Sequence, residues 1–455
     1  MVTGQYWLQT LGCPKNQVDS DKLEGRLIGQ GYRRATDPSE ADLLVVNTCA
    51  FIESARQESV DSVLELADHR RDGARLVVTG CLAERYGDEL ADAMPEVDLV
   101  AGFGVDLEQP GVPVALRSKP GPRPSAGFDL LELARPAAPV PWAYIKVAEG
   151  CDRICGFCAI PSFRGKQRSR GTDDIMAEVD GLLAGGLTTD GRLAPPMREI
   201  VLVAQDLASY GRDRSRPGGR AAAGRSPIAE LTNAISRRVE RTRLLYLYPS
   251  GLTDELISAV LAAGVPYFDL SLQHVSRPLL ARMRRWGDGE RFLRRVADIR
   301  NADAQATFRS SFILGYPGET ERDHDLLLEF LAEAQLDWAG FFPFSREDGT
   351  HAAGLPDQVP PELALERLRE CTELQDGITA ARRDQLVGQQ REVLVDAPGS
   401  GRTVHEAPEI DGIVHLPPDT VAGELLQVVV TAAEGPDLFA VRADDPALSP
   451  VGTPG

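Results

Sequence analysis

Three short apolar runs near the N-terminus constrain the fold more than any other feature, because each leads to a cysteine and then to an amphipathic, helix-like stretch. The runs are Tyr6 to Leu11, Leu43 to Val46 and Leu76 to Thr79, and the cysteines are Cys13, Cys49 and Cys81. Such alternation over residues 5 to 105 reads as a parallel α/β unit. Ligands of open α/β sheets collect beyond the C-terminal strand ends. Cysteines separated by 35 and 31 intervening residues therefore converge there through topology, not through sequence spacing. Singly each is a candidate core cysteine; together they make a three-cysteine cluster site.

A second triad is compact. Cys151, Cys155 and Cys158, in EGCDRICGFCAIP, follow a C-x3-C-x2-C spacing. Structural zinc usually needs four ligands, and no second C-x2-C or His pair stands nearby to complete such a site. Three thiolates can instead hold three irons of a cubane and leave the fourth open for a substrate or cofactor.

The triplet follows Tyr144 to Val147, the first of six candidate strands. The others are Ile200 to Val203, Arg243 to Leu247, Phe268 to Leu272, Thr307 to Leu314 and Trp338 to Phe344, with helical stretches between them. Six repeats of strand and helix predict a partial barrel with its site at the C-terminal rim. Phe103 to Pro141, rich in Pro and Gly, reads as a linker with at most one short element around Leu130 to Leu133. Thr188 to Met197 and Gly211 to Ser226 read as insertions, the second a solvated loop carrying Arg212, Arg214, Arg216, Arg220 and Arg225. A charged helix from Leu363 to Asp384 leads to β-like runs at Glu392 to Val395, Ile413 to Leu416, Leu425 to Val430 and Leu438 to Val441, the pattern of a small OB-like β-barrel. The expected plan is an N-terminal α/β domain over 1–105, a linker over 106–138, a partial (βα)6 barrel over 139–378, a terminal β-barrel over 379–446 and a frayed tail over 447–455.

At 455 residues the chain is too long for one core. The start MVTGQYWLQT lacks the charged and apolar regions of an export signal, and no segment reaches about 18 uninterrupted apolar residues, so a cytoplasmic protein that avoids membranes is expected. In a reducing compartment seven cysteines are better candidates for metal ligands or catalytic thiols than for disulfides. A net charge of −19 argues against broad nucleic-acid binding and favours a basic protein partner.

The triplet, with Phe157 before its last cysteine, resembles the radical S-adenosylmethionine enzymes. There the open iron is chelated by S-adenosylmethionine, whose reductive cleavage generates a deoxyadenosyl radical. The three units in this order, with LGCPKNQVDSD, VVNTCAFI, VTGC, CAIPSFRGKQRSR and FILGYPGET, resemble the methylthiotransferase family over nearly the whole chain. The resemblance implies two 4Fe-4S clusters, one on Cys151, Cys155 and Cys158, and one on Cys13, Cys49 and Cys81 that carries the sulfur to be inserted. It further implies a terminal barrel of the TRAM type, a shared cavity for the clusters, and an electron donor such as flavodoxin or ferredoxin. Phe157, Gln205, Gln273, Gly315 and Glu319 are the implied cofactor-binding residues. No side-chain base is implied, so His274 is expected to be a polar rim residue. Arg164 and Arg168 either receive the cofactor carboxylate or cap the cluster loop, and Cys371 is structural.

Two bacterial branches of the family modify a transfer-RNA adenosine or an aspartate of the small-subunit ribosomal protein S12. From Asp384 to Asp445 twelve acidic residues face three arginines, a balance of −9. Such a module should repel a phosphate backbone and attract a basic protein. EAPEIDG at 406–412 and GLPDQVP at 354–360 also look like the aspartate-modifying branch, which implies methylthiolation at the β-carbon of one aspartate and no direct nucleic-acid substrate. FFPFS at 341–345 departs from the expected tyrosine before the serine. The alternatives are the adenosine-modifying branch and a non-catalytic iron-sulfur electron carrier or sensor.

Overall fold

The computed structural model describes residues 4–107, 127–214 and 226–445. At the N-terminus β1 (Gly4–Thr10), β2 (Tyr32–Arg34), β3 (Leu43–Thr48), β4 (Arg75–Gly80) and β5 (Leu99–Val100) pair in parallel in the order β2-β1-β3-β4-β5. The central strand β3 is buried at every position, as a parallel sheet covered on both faces requires. The sequence reading missed β2 and β5, which are edge strands of three and two residues.

The second domain follows as β6 (Trp142–Lys146), a short antiparallel pair β7 (Ala148–Glu149) and β8 (Arg168–Ser169), then β9 (Glu199–Val203), β10 (Arg241–Leu244), β11 (Tyr267–Gln273), β12 (Thr307–Leu314) and β13 (Trp338–Pro343). Two parallel three-stranded sheets, β10-β9-β6 and β11-β12-β13, are joined by the bridge between Leu247 and Leu270, giving six strands in chain order. Side chains alternate between two cores. Ala143, Ile145, Ile200, Leu202, Leu244 and Phe268 meet the surrounding helices. Tyr144, Val201, Val203, Leu245 and Tyr267 form an inner cluster that also takes in Val18 from the N-terminal domain and Ala407 from the C-terminal one.

Residues 130–133 form a turn and no regular element. They are nonetheless fixed, because Leu130 enters the N-terminal core and buried Lys22 Nζ donates to the carbonyls of Leu131 (3.2 Å) and Leu133 (2.9 Å). The solvated-loop expectation for the second insertion needs correction at its start. Asp213 accepts from Ser169 N (2.8 Å), and Arg214 donates to Ser169 O (3.2 Å), so both residues are tied to β8. Arg216, Arg220 and Arg225, and the tail over 447–455, lie outside the described residues.

Helix Pro361–Asp384 leads to β14 (Gln390–Ala397), β15 (Ser400–Arg402), β16 (Val414–His415), β17 (Leu425–Glu434) and β18 (Asp437–Arg442), a closed barrel in the order β14-β15-β16-β18-β17. This module docks on the N-terminal ends of the six-stranded barrel's strands. Glu199, which opens β9, pairs with Arg402 (3.0 Å), and Arg241, which opens β10, donates to Arg402 O (3.0 Å). Tyr267, which opens β11, donates to Asp411 (2.5 Å), and the Trp338 indole at the start of β13 donates to His405 O (2.8 Å). Residues 404–411 thus plug the barrel floor.

This placement corrects the electrostatic reading of the module. Asp396, Glu406 and Asp411 are turned into the junction and matched by Arg402, Arg383 and Arg309. Two of those arginines belong to the central helix and barrel, so counting charges along the terminal segment overstated its surface acidity. EAPEIDG is largely a docking plug. Exposed charge on the module remains acid-rich, with Asp419, Glu434 and Asp444 at the surface.

Burial pushes the Asp411 carboxyl up to about 6, against the pull of Arg309 and of the Tyr267 hydroxyl. Its folded value exceeds the unfolded one, so its contribution to stability is fullest below about pH 4 and is lost as pH rises towards about pH 6. Asp411→Asn removes that dependence while leaving Tyr267 an acceptor. Paired thermal scans should show the variant gaining on the native chain between about pH 4 and about pH 7, by roughly 2–3 kcal/mol; a constant difference would contradict a raised Asp411.

Candidate functional site

The N-terminal triad is assembled by the loops after β1, β3 and β4. Cys13 is the N-cap of helix Pro14–Gly29, and Cys81 opens helix Cys81–Ala93. Two glycines permit the close approach. A Cβ on Gly12 (φ +93°) would stand 2.8 Å from Cys49 Cβ, and one on Gly80 (φ +91°) 2.3 Å from Asn47 Oδ1. Side-chain amides stitch the loops together. Asn16 Nδ2 donates to the carbonyls of Leu11 and Thr48, both at 2.9 Å, and Asn47 Nδ2 donates to Asn16 O at 2.9 Å. Thr48 Oγ1 reaches Thr79 O at 2.5 Å. The amides in LGCPKN and VVNTC were the available signal, and the sequence reading passed over them.

The second triad sits in the loop after β7, where Gly156 N donates to Met283 O and Gly156 O accepts from Ala352 N, both at 2.8 Å. A Cβ on Gly156 would meet the Tyr316 hydroxyl at 2.7 Å, so this loop abuts the GYPGET turn. Arg285 Nη1 donates to Cys155 Sγ (3.2 Å), and Arg153 N donates to Cys151 Sγ (3.4 Å).

Arg164 joins the N-terminal triad to the segment that leads into the second. It comes from the loop of the second triad yet donates to Cys81 Sγ through Nε (3.3 Å) and Nη2 (3.1 Å). It also donates to Asn16 Oδ1 (2.6 Å), Asp19 (3.2 Å) and Glu149 (3.0 Å). Glu149, two residues before Cys151, accepts from Lys146 (2.7 Å), which also pairs with Asp19 of the N-terminal domain. Of the two roles left open for Arg164, its contacts are those of a cap. Arg168 instead pairs with Asp129 at the surface.

Charge follows this arrangement. Burial disfavours the Cys13 thiolate, but Lys15 and Arg164 outweigh it and hold the thiol below its ordinary value. Burial keeps Cys49 high and pushes Cys81 up to about 12, Cys151 to about 11 and Cys158 to about 12. Burial also opposes ionisation of Glu149, and Arg164 and Lys146 reverse it, leaving that carboxylate well below the usual range.

The remaining candidates lie around the same rim. Phe157 packs against the barrel core. Gln205 Nε2 donates to Glu149 (2.9 Å), while its buried Oε1 has no partner among the described residues. Gln273 ends β11 at φ +70°, beside a break in register. Gly315 takes φ +76°, and its N–H, with that of Tyr316, is held by Glu319 Oε2 at 2.6 and 3.2 Å. Glu319 Oε1 accepts from Arg367 (2.9 Å), so this carboxylate fixes the turn. His274 is not a rim residue: it is fully buried, accepts from Ser276 N (3.0 Å), and burial lowers its pKa to about 4. Cys371 is buried in helix Pro361–Asp384.

Among the described residues no set of three His, Cys, Asp or Glu side chains closes to the spacing of a single-ion site. A cubane, with each cysteine on a different iron, spreads its ligands further than one ion does. Two sets of three thiols, each with arginine N–H groups aimed at a sulfur, suit an anionic sulfur cluster. A cleft of about 810 Å³ between residues 131–137 and helix Thr172–Ala184 contains none of the six cysteines.

Family models match in the order the fold displays: the uncharacterised protein family UPF0004 over residues 5–102, the Radical SAM superfamily over 145–331 and the TRAM domain over 387–442. The chain is 40% identical over 433 residues to the ribosomal protein uS12 methylthiotransferase RimO of Moorella thermoacetica, covering 93% of this chain and 95% of that one. It is 39% identical over 449 residues to the protein of the same name from Geobacter sulfurreducens, covering 94% and 96%. A solved radical S-adenosylmethionine methyltransferase, TsrM from Kitasatospora setae, aligns with a TM-score of 0.48 at 14% identity, over 91% of this chain and 82% of that one. Among the described residues no helix is long and apolar enough to cross a membrane. Radical SAM membership implies a 4Fe-4S cluster and S-adenosylmethionine. With relatives this similar over nearly its whole length, the chain belongs to the RimO family and is a radical SAM methylthiotransferase.

Proposed function

We propose that this chain attaches a methylthio group to the β-carbon of one aspartate of the small-subunit ribosomal protein uS12. The observation that carries this reading is the bridge made by Arg164, which ties the cysteines of one domain to the loop that presents the cysteines of the other. A transferase that joins sulfur to a carbon centre needs both sites at one rim.

Cys151, Cys155 and Cys158 would hold one 4Fe-4S cluster, and Cys13, Cys49 and Cys81 a second. Phe157, Gln205, Gln273 and Gly315 would line the S-adenosylmethionine site, with Glu319 acting through the turn it fixes. When bound, these groups supply radical generation and sulfur transfer, chemistry that no side chain here can perform. The chain's own share is position and dryness. Arg164 and Glu149 fix the separation of the two loops, Arg285 supports Cys155, and the plug at residues 404–411 excludes water from the barrel floor. A cytoplasmic location and a reductant of the flavodoxin or ferredoxin class belong to the same reading.

Deletion of the gene, followed by mass spectrometry of uS12, should remove a methylthio mass increment from one aspartate; an unchanged uS12 would refute the assignment. With the purified chain, Cys155→Ala should abolish cleavage of S-adenosylmethionine, whereas Cys49→Ala should leave cleavage intact and block sulfur insertion. Equal loss of cleavage in both would contradict this division of labour. Arg164→Gln leaves Asp19 and Glu149 to share Lys146 alone, a buried imbalance costing about 3–5 kcal/mol. Amide exchange in helix Pro14–Gly29 should quicken accordingly, and unchanged protection there would speak against Arg164 as the tie.

A further inference from the structure

Lys15 is a buried cation that pairs with no carboxylate among the described residues. It lies two residues after Cys13 in the first turn of helix Pro14–Gly29, is 8% exposed, and crosses the domain seam to place its ammonium 3.2 Å from the centroid of the Tyr246 ring. The other buried lysines are paired, Lys22 with Glu178 at 3.1 Å and Lys146 with Asp19 and Glu149. Among the described residues no ion pair joins Lys15 to an acid. Asp269, the carboxylate that holds the Tyr246 backbone, is already committed: it accepts from Tyr246 N (2.8 Å) and from Arg309 (3.3 Å). An ammonium presents three donors, and an aromatic face beneath it engages its charge while leaving those donors directed elsewhere.

The platform is an independent oddity. Tyr246, just past the C-terminal end of β10, holds φ at +65°, a conformation costly for a bulky side chain. Strain of this kind persists where the surroundings enforce it, and it clusters at ligand-binding positions. Here the Asp269 carboxylate enforces it through the Tyr246 N–H.

The arginines at this rim are already hydrogen-bonded or ion-paired. Arg164 is spread over Cys81, Asn16, Asp19 and Glu149, Arg153 is paired with Asp206 (2.6 Å), and Arg285 serves Cys155. The geometry points to Lys15 as the receptor for the side-chain carboxylate of the substrate aspartate, with Tyr246 as the platform that holds it beside the N-terminal triad. This rests on the reading that the substrate is an aspartate of uS12. Lys15 then selects for an anionic side chain and fixes the β-carbon next to that carboxylate relative to the rim.

The test uses the full, anaerobically reconstituted chain and two forms of uS12, the native protein and one in which the aspartate located by mass spectrometry is changed to asparagine. Binding is read by fluorescence anisotropy. The native chain should prefer the aspartate form by about 10- to 100-fold, the worth of one charge-assisted hydrogen bond. Lys15→Gln, with its iron content verified, should bind both forms alike at the level of the asparagine form, and Lys15→Arg should restore part of the preference. Retention of the preference in Lys15→Gln, or its absence from the native chain, would overturn the assignment of Lys15 while leaving uS12 as the substrate. A native chain that neither binds nor modifies uS12 would remove the functional reading itself, and this inference with it.

Discussion

The buried ion network of Asp19, Lys146, Glu149 and Arg164 is the constraint on which the rest of the molecule depends. Two cations and two anions are withdrawn from water in the seam between two domains, and their charges cancel only when both domains are in place. Networks of this kind contribute little net stability, because desolvation offsets most of the attraction. Their consequence is geometric. Any slip of the N-terminal sheet would leave a bare charge in the buried junction, so the seam tolerates one register, and that register sets the N-terminal triad against the segment that leads into the second.

A second network works the same way at the opposite end of the barrel. Glu199 is fully buried and accepts from both Arg243 (2.6 Å) and Arg402 (3.0 Å), and its carboxylate is held near a pKa of about 2 because those arginines overcome the effect of burial. Arg241 and Arg402 are likewise almost wholly buried. The central barrel is thus clamped at both rims by charge, with the cysteine-bearing domain on one and the TRAM-type module on the other. Apolar packing fills the space between, and Val18 and Ala407 enter the same inner cluster from the two ends.

Much of this was legible in the sequence, for identifiable reasons. Strand positions in both sheets follow from short apolar runs, and Cys13, Cys49 and Cys81 fall at strand ends as topology requires. What stayed hidden depends on partners distant in sequence. Arg164 has two plausible roles in isolation, and only the fold shows that its guanidinium crosses to Cys81, 83 positions earlier. His274 looks like a rim residue because it follows a strand end, yet its ring turns into the core. The acids of EAPEIDG read as surface charge because their arginine partners lie in other elements. Lys15, between two conspicuous motif residues, carries no sequence signal that sets it apart from a solvated lysine.

The plug at residues 404–411 closes one end of the central domain. Its floor is sealed by Ala407 and by the tyrosines at 144 and 267, all of them buried, whose hydroxyls are tethered to the plug's own backbone and acids. Cofactor and substrate therefore cannot enter through that floor, and are left the opposite rim, where the cysteine-bearing domain docks, and the unpaired side between β6 and β13. A molecule that leaves must retreat the way it came, because the far end of the barrel offers no through passage.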